Sequence, residues 1–381
     1  MRVYLDHNST SPLRPEVRER WLAVSGERLG NASSLHAPGR RARALVDDAR
    51  ARVAAALGVH EEEIFFTSGA TEANNLALLG SLRAAGTAPG LVLPRTEHSS
   101  VLEPARAWAE AGHAVVHVPC DEHGELEPAK LRAAVASTPV GLLSLSAANN
   151  ETGTAPDLAR LVAALPEPRP RVHVDAVQAL GRLPVRLAEW GADLATFSAH
   201  KLGGPPGVGI LWRRRGLALA PLCFGGGQEL GLRPGTENVP AVAAAALAVE
   251  LAVRAQPEEA PRLLALARGL WDELAAAVPG ARLVGPPLAS RRLPNTLCVL
   301  LPGTDGKVLV TRLDLAGLEV SAGSACASGS IEPSHVLLAL GLARDAARSA
   351  VRLSLGWNTT HADCKRAAAI FHDEFAALRA T

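Results

Sequence analysis

The sequence of 381 residues has no excess of charge of either sign and few aromatic side chains. Its 39 basic and 38 acidic residues give a formal net charge of +1, so neither a nucleic acid nor an anionic membrane surface is an expected partner. Aromatic residues make up only 3%, which means that the core has to be built mainly from Ala, Leu and Val. Lysine occurs only at positions 130, 201, 307 and 365, so a lysine at a strand end is noticeable.

The five cysteines lack the spacing of a disulfide framework or of a structural zinc site. They lie far apart, without a CxxC pair, at positions 120, 223, 298, 326 and 364. The N-terminus has no apolar segment of a secretory signal, and the longest apolar run, 239–249, is shorter than the ~20 residues of a membrane-spanning helix. We therefore expect a cytoplasmic protein with reduced cysteines and no membrane segment.

Seven short apolar runs between residues 64 and 211 predict a mostly parallel β-sheet. Ala-rich segments of helical period separate several of these runs, which indicates an α/β fold with helices on both faces of the sheet. The runs are Ile64–Thr67, Leu91–Leu93, Ala114–Val118, Gly141–Leu145, Val172–Val174, Leu194–Phe197 and Val208–Leu211. In such sheets, ligands bind beyond the carboxyl ends of the strands.

After residue 240 the pattern changes and predicts a smaller α+β domain. We expect helices at 240–255 and 258–278, strands near 296–301 and 352–355, a Gly/Ser/Ala-rich loop at 321–330, and a closing helix at 360–380. A chain of this length holds two or three units at roughly 150 residues each. The expected division is a large domain of residues 15–255 and a small domain of residues 1–14 and 256–381.

Polar side chains follow several of the predicted strands, and each has an ordinary explanation as a helix cap, a turn, a loop residue or a surface lysine. The residues are the hydroxyl-rich segment 67–72, His98, the cluster 149–153, Asp175 with Gln178, and Lys201. Together they place phosphate-binding groups, an aromatic ring, a carboxylate, an amide and a lysine at one edge of one sheet. Pyridoxal 5′-phosphate (PLP) requires this set, since a lysine forms a Schiff base with its aldehyde and a carboxylate keeps its ring nitrogen protonated.

The sequence resembles the cysteine desulfurases of the class-V aminotransferase group over nearly its whole length. The segments that carry the resemblance are 4–10 (YLDHNST), 30–36 (GNASSLH), 67–75, 96–98, 149–153, 173–178 (HVDAVQ), 198–201 (SAHK), 233–236 (RPGT), 321–326 (SAGSAC) and 351–356 (VRLSLG). The resemblance implies a PLP-dependent transferase of fold type I.

The resemblance also implies roles for single residues. It makes Lys201 the residue that carries PLP, Asp175 the partner of the ring nitrogen, His98 the ring stacked on the cofactor, and Gln178 the contact of the ring hydroxyl. Lys201 and His98, together with Cys326, are the catalytic residues that it implies. The remaining cofactor contacts it implies are Ala70, Thr71, Asn150, Ser198 and His200, together with Thr236 reaching the phosphate of the other subunit of a homodimer. Asn150 and Arg352 are expected to hold the substrate carboxylate, which the planar fork of arginine matches.

Cys326 decides which chemistry the resemblance implies. It stands among Gly, Ser and Ala in a loop of the small domain at about 321–333, whereas Cys298 has the apolar neighbours of a buried strand cysteine. The implied reaction converts L-cysteine to L-alanine and leaves sulfur on Cys326 as a persulfide, for an acceptor protein of iron–sulfur cluster assembly or of tRNA thiolation. No resident metal is expected, with Cys326 as a candidate for a transient iron–sulfur ligand.

Other functions remain open from the sequence. A selenocysteine lyase or another class-V transferase, such as an aminotransferase, would share the PLP site and use the cysteine differently or not at all. A non-catalytic sulfur carrier of this fold is disfavoured because Lys201, Asp175 and Cys326 are all present. Some relatives have a longer C-terminal tail that docks a scaffold protein, so the sulfur acceptor stays open.

Overall fold

The computed structural model describes residues 2–86, 89–323 and 332–379. The strands, in chain order, are β1 (Val3–Tyr4), β2 (Ile64–Thr67), β3 (Gly90–Pro94), β4 (Val115–Val118), β5 (Val140–Ser146), β6 (Arg171–Asp175), β7 (Leu194–Ser198), β8 (Gly209–Arg213), β9 (Arg282–Val284), β10 (Thr296–Leu300), β11 (Leu318–Glu319) and β12 (Ala350–Ser354). The helices are α1 (Pro15–Gly26), α2 (Ala37–Leu57), α3 (Ala70–Ala84), α4 (Ser99–Glu110), α5 (Pro128–Ala136), α6 (Leu158–Ala163), α7 (Val239–Ala277), α8 (Gly306–Leu315), α9 (His335–Ala339), α10 (Arg344–Arg348) and α11 (His361–Arg379).

A seven-stranded sheet has the spatial order β2-β8-β7-β6-β5-β3-β4, and Asp175 and Lys201 of the predicted site lie at the ends of its strands β6 and β7. Its strands are parallel except β8, which is antiparallel to both of its neighbours. All seven apolar runs are strands of this sheet, so the predicted α/β fold is confirmed. In register, Ser146 of β5 lies beside Asp175 of β6, and Asp175 lies beside Thr196 of β7.

Helices cover both faces of this sheet because both faces are apolar. Successive side chains of a strand point to opposite faces, and β2 shows the division. Phe66 belongs to the core covered by α1, α2, α5, α6 and the first half of α7, whereas Phe65 belongs to the core covered by α3 and α4. Val92 and Leu93 of β3 divide in the same way.

A smaller unit has its own sheet and its own core. Its antiparallel sheet has the order β12-β10-β9, and β1 pairs with β11 in parallel beside it. A second hydrophobic core joins these strands to α8, α11 and the second half of α7. The predicted strands near 296–301 and 352–355 and the closing helix are confirmed.

Helix α7 corrects the expectation of two separate helices at 240–255 and 258–278. It is one helix of 39 residues that continues through Pro257 and Pro261. Each proline removes a backbone N–H and crowds the carbonyl four residues earlier, but the helix is buried on both sides of this turn, against the large-sheet core before it and the second core after it. The expected domain boundary between residues 255 and 256 falls inside α7, and the division into two domains stays a prediction.

Helix α7 is also long and apolar enough, by length and composition alone, to cross a membrane. The uninterrupted apolar run 239–249 is too short to span a membrane, but apolar residues resume after Glu250, so the whole helix is longer and still apolar. However, 56% of its most apolar window is buried inside the protein. This burial is typical of a core helix.

Gly209 generates a prediction about stability. It begins β8, and a Cβ at this position would lie 2.2 Å from the carbonyl carbon of Gly69 and 2.4 Å from its oxygen. We therefore expect Gly209→Ala to lower the free energy of unfolding by roughly 1–3 kcal/mol, because backbone has to move. Urea denaturation of the full chain measures the loss.

The matched control for this substitution is Gly269→Ala in α7. This glycine is exposed, and a Cβ on it would meet nothing within 4 Å. Alanine is the better helix former, so this variant should gain about 0.5–1 kcal/mol. Equal stabilities of the two variants would show that the close approach of β8 to Gly69 does not constrain the fold.

Candidate active site

A cavity lies beyond the carboxyl ends of β5, β6 and β7, where the large sheet meets β12 of the small one. Parallel strands end at the same edge of a sheet, which is why residues far apart in the chain meet there. Eight of the predicted site residues line this cavity: Ala70, Thr71, His98, Asn150, Asp175, Gln178, Lys201 and Arg352.

Lys201 stands in a short 3-10 turn, 199–201, directly after β7. Its Nζ donates to the carbonyl oxygens of Asn8 and Ser9, at 2.7 and 2.5 Å. Both carbonyls belong to the N-terminal segment, residues 6–9, which lies between the two sheets. These acceptors hold the amine at the cavity, where a lysine can react with an aldehyde.

Asp175 is the last residue of β6, and only 7% of its surface is exposed. Its Oδ1 accepts the backbone N–H of Val177 at 3.0 Å, and its Oδ2 accepts the side-chain amide of Asn74 at 2.9 Å. A buried carboxylate is costly unless it is bonded and paired. Two neutral donors leave further lone pairs for a cationic partner, which supports the predicted pairing with a protonated ring nitrogen.

His98 is the N-cap of α4, and this role fixes its ring at the edge of the cavity. Nδ1 accepts the backbone N–H of Ser100 at 3.1 Å and lies 2.8 Å from Ser100 Oγ. Because Nδ1 is an acceptor, the neutral ring carries its proton on Nε2. Stacking of His98 on a cofactor stays a prediction.

Arg352 of β12 is fully buried beside the cavity. Its Nη2 donates to Asp6 Oδ1 at 2.8 Å and to Ser9 Oγ at 2.6 Å, and its Nη1 donates to the carbonyl oxygen of Asn150 at 3.2 Å. Its buried Nε finds no hydrogen-bond partner within the described part of the chain. The guanidinium is therefore charge-paired and lines the cavity, a position suited to binding a further carboxylate.

Helix α3 begins at the cavity without a capping side chain. Its N-cap is Gly69, which has no side chain to accept from the first turn. An ordinary side-chain cap, one explanation of the segment 67–72, is therefore wrong. Uncapped N–H groups at a helix start bind anions, and Ala70 and Thr71 stand in this first turn.

The residues of the cavity fit PLP. An uncapped helix start suits its phosphate, a buried carboxylate suits its ring nitrogen, and a lysine suits its aldehyde. The fold and the site together define a PLP-dependent enzyme of fold type I.

Three predicted site residues lie elsewhere, and the position of a fourth is not described. Ser198 and His200 are close to Lys201 in the chain but do not line the cavity, and burial, followed by the charge of Lys201, lowers the pKa of His200 to about 4. Thr236 is exposed in the loop before α7, and Cys326 lies outside the described residues. The roles predicted for these four stay predictions.

Five residues that bond to the predicted site residues, or to one another beside them, have no role in the sequence-based prediction: Asp6, Asn8, Ser9, Asn74 and Ser100. Four of them belong to the segments 4–10 and 67–75, which carry the family resemblance. They act through backbone carbonyls or through bonds to other side chains of the site. Such contacts do not depend on composition or on the spacing of residue types. The sequence therefore identifies the segments 4–10 and 67–75, but not the roles of these single residues.

Two glutamates are buried behind the cavity. Glu97 is 1% exposed and accepts the backbone N–H of Ser146 at 2.7 Å and its Oγ–H at 2.5 Å. Burial raises the pKa of Glu97 to about 8. Burial also raises the pKa of Glu151, which accepts Ser334 Oγ–H at 2.6 Å. At neutral pH Glu97 is therefore mostly protonated, so the site holds less negative charge than its composition suggests.

Comparison with known proteins identifies the family. The model of the family described as aminotransferase class-V matches residues 3–366. The cysteine desulfurase IscS of Dictyoglomus turgidum is 40% identical over 362 residues, covering 95% of this chain and 91% of the relative. The cysteine desulfurase of Cereibacter sphaeroides is 42% identical over 367 residues, covering 96% and 93%.

Solved structures agree with the sequence comparison. A NifS-like protein superposes with a TM-score of 0.92 at 36% identity, covering 99% of this chain and all of that structure. A NifS-like protein from Rickettsia africae gives a TM-score of 0.89 at 30% identity, again over 99% and 100%. The chain belongs to the class-V aminotransferase family, among its cysteine desulfurases.

Glu97 generates a prediction about pH. The folded protein keeps the proton of Glu97 up to about pH 8, whereas an unfolded glutamate loses it near its ordinary pKa of 4.5. The folded state thus binds more protons between these values, so the free energy of unfolding falls as pH rises from about 4.5 to about 8. Glu97→Gln replaces the protonated acid by an amide of the same shape, and should reduce this decline by a few kcal/mol. Urea denaturation across this pH range measures it.

Glu103→Gln is the control for this measurement, because Glu103 is exposed on the neighbouring helix α4. Its stability should follow the pH dependence of the wild type. If Glu97→Gln shows that same dependence, Glu97 is ionised in the folded protein and its predicted protonation is wrong.

Proposed function

We propose that the protein is a PLP-dependent cysteine desulfurase that converts L-cysteine to L-alanine. The substrate sulfur passes to Cys326 as a persulfide and then to an acceptor protein of iron–sulfur cluster assembly or thiolation. The observation that carries this proposal is one cavity that joins Lys201, Asp175 and Arg352 in a chain 40% identical to a cysteine desulfurase. A structural neighbour at 27% identity, described as SspA in complex with cysteine, supports the same substrate.

The residues of the cavity divide the work between binding and proton transfer. Bound PLP supplies an electron sink that makes the α-proton of the substrate removable. Arg352 and Asn150, on the side of the small sheet, hold the substrate carboxylate. Lys201 Nζ, on the side of the large sheet, takes the α-proton. Asp175 would pair with the ring nitrogen of the bound cofactor and keep it protonated.

Cys326 completes the reaction as a nucleophile. Its thiolate attacks the substrate sulfur, so an S–S bond forms as the carbon–sulfur bond breaks, and the electron pair of the broken bond stays with carbon, which is then protonated. L-cysteine and the Cys326 thiol therefore give L-alanine and a Cys326 persulfide. This balance needs no external oxidant or reductant.

We also propose a homodimer and a cytoplasmic location. The exposed position of Thr236 supports its contact with the cofactor phosphate of the other subunit, and sedimentation of the holoenzyme tests whether it is a dimer.

The described cysteines, at 120, 223, 298 and 364, are free thiols, which supports a reducing compartment. Detection of the protein in a fractionated cell tests the location.

Asp175→Asn tests the role of the ring-nitrogen partner. The amide has nearly the shape of the carboxylate and keeps the bond from Val177, so we expect the variant to bind PLP and retain visible absorbance. It cannot stabilise the proton on the ring nitrogen, and alanine production should fall by about 10²-fold or more. Near-normal turnover would show that Asp175 is not that partner.

Cys326→Ser tests the sulfur acceptor. The cofactor cavity is unchanged, so the variant should bind PLP and show a spectral change when L-cysteine is added. Alanine production should collapse because a hydroxyl is a much poorer nucleophile than a thiolate. After brief exposure of the wild type to cysteine, mass spectrometry should find one added sulfur on the peptide that contains Cys326.

Cys223→Ser is the matched control, because Cys223 is an exposed thiol outside the cavity. It should keep wild-type turnover and the persulfide on Cys326. An active Cys326→Ser enzyme, or persulfide found on Cys120 or Cys298 instead, would reject the mechanism. Activity with L-selenocysteine but not with L-cysteine would assign the protein as a selenocysteine lyase.

A further inference from the structure

Four buried polar side chains form a line that ends at Asp175, and one of them, Asn74, also lines the cavity. Ser144 lies on β5, His173 on β6, Thr196 on β7 and Asn74 on α3. All four are completely buried. Polar groups at such positions are costly unless they bond to one another, so their arrangement is specific.

Hydrogen-bond contacts connect these side chains one after another, in the order Ser144, His173, Thr196 and Asn74. Ser144 Oγ lies 2.8 Å from His173 Nδ1, and His173 Nε2 lies 3.4 Å from Thr196 Oγ1. Thr196 Oγ1 donates to Asn74 Oδ1 at 2.5 Å, and Asn74 Nδ2 donates to Asp175 Oδ2 at 2.9 Å. The line therefore ends on the carboxylate of the site.

The carboxylate determines the direction of every bond in this line. An ionised carboxylate only accepts, so Asn74 has to turn its amide nitrogen toward Asp175 and its Oδ1 toward Thr196. Thr196 then donates its hydroxyl hydrogen to Asn74, and its oxygen accepts from His173 Nε2–H. His173 Nδ1 is left as an acceptor for the hydroxyl of Ser144.

His173 suits this arrangement because it is neutral. Burial lowers its pKa to about 3, so the ring carries a single proton that one nitrogen holds. With the proton on Nδ1 instead, Nε2 would compete with Asn74 for the hydroxyl hydrogen of Thr196. The Nε2–H tautomer of His173 is thus the one that agrees with the amide orientation that Asp175 requires, and it stabilises that orientation.

We propose that Asn74 is a positioning residue for the Asp175 carboxylate, and that Thr196, His173 and Ser144 fix the orientation of its amide. The second amide hydrogen of Asn74 goes to Ser100 Oγ at 2.8 Å, and Ser100 contacts His98. One amide therefore bonds to the carboxylate predicted to pair with the ring nitrogen and, through Ser100, is linked to the histidine predicted to stack on the ring. The inference rests on the proposed function only for the identity of PLP as the ligand.

A test needs a ligand that lacks the atom toward which Asp175 is positioned. The full-length apoprotein is titrated with PLP and with the analogue in which CH replaces the ring nitrogen, and both dissociation constants are measured without turnover. Asn74→Ala should weaken PLP binding about tenfold, the usual effect of losing a bond to a charged group. Binding of the analogue should change less than about twofold, since it gives Asp175 nothing to pair with.

Thr196 provides a second and milder pair of variants. Thr196→Val keeps the shape and removes the hydroxyl, and should weaken PLP binding about threefold without affecting the analogue. Thr196→Ser restores the hydroxyl and should restore the affinity. These variants keep the test decisive even if Asn74→Ala does not fold.

Asn75→Ala is the matched control, because Asn75 is the next residue of α3 and its amide donates to the carbonyl of Thr71 instead. Any effect of this variant should be equal for both ligands. An equal loss for both ligands in Asn74→Ala would mean a merely structural role and overturn the proposal, as would no loss for either. A wild type that binds the two ligands equally would also overturn it. Because turnover is not measured, failure to produce alanine from cysteine would refute the proposed function and leave this inference intact.

Discussion

Acceptor groups of the N-terminal segment, residues 6–9, compensate the positive charges of the site, and the arrangement of the site depends on this compensation. Lys201 follows a strand of the large sheet and Arg352 lies on the small sheet, yet both face one cavity. Two cations that face one cavity repel each other. The carbonyl oxygens of Asn8 and Ser9 and the carboxylate of Asp6 offset this repulsion. The same segment also bonds to both sheets, through Gln178 and Thr296, so the acceptors that neutralise the site join its two halves.

Behind the cavity, burial keeps groups neutral that water would charge. Glu97 holds a proton and His173 lacks one, and both states follow from the cost of a buried charge. The carboxylate of Asp175 accepts hydrogen bonds from the side-chain amide of Asn74 and from the backbone N–H of Val177.

The large sheet and the centre of the site could be predicted from the sequence for one physical reason. A strand buried on both faces is a continuous apolar run, and a polar residue directly after it, such as Asp175 or Lys201, stands out. Asn8 and Ser9 could not be found in this way, because a backbone carbonyl is the same for every residue. The family resemblance alone predicts a role for Thr236 or Cys326, since neither follows a buried strand.

The continuity of α7 could not be predicted from the sequence either. Packing of the helix against two separate cores outweighs the helix-breaking effect of its two prolines. This continuity has a mechanical consequence. A change in the angle between the two sheets has to bend one helix of 39 residues. Pro257 and Pro261 each remove a backbone hydrogen bond from this helix between residues 253 and 261. Bending is therefore expected in this part of the helix, between the half that packs on the sheet of Lys201 and the half that packs on the sheet of Arg352.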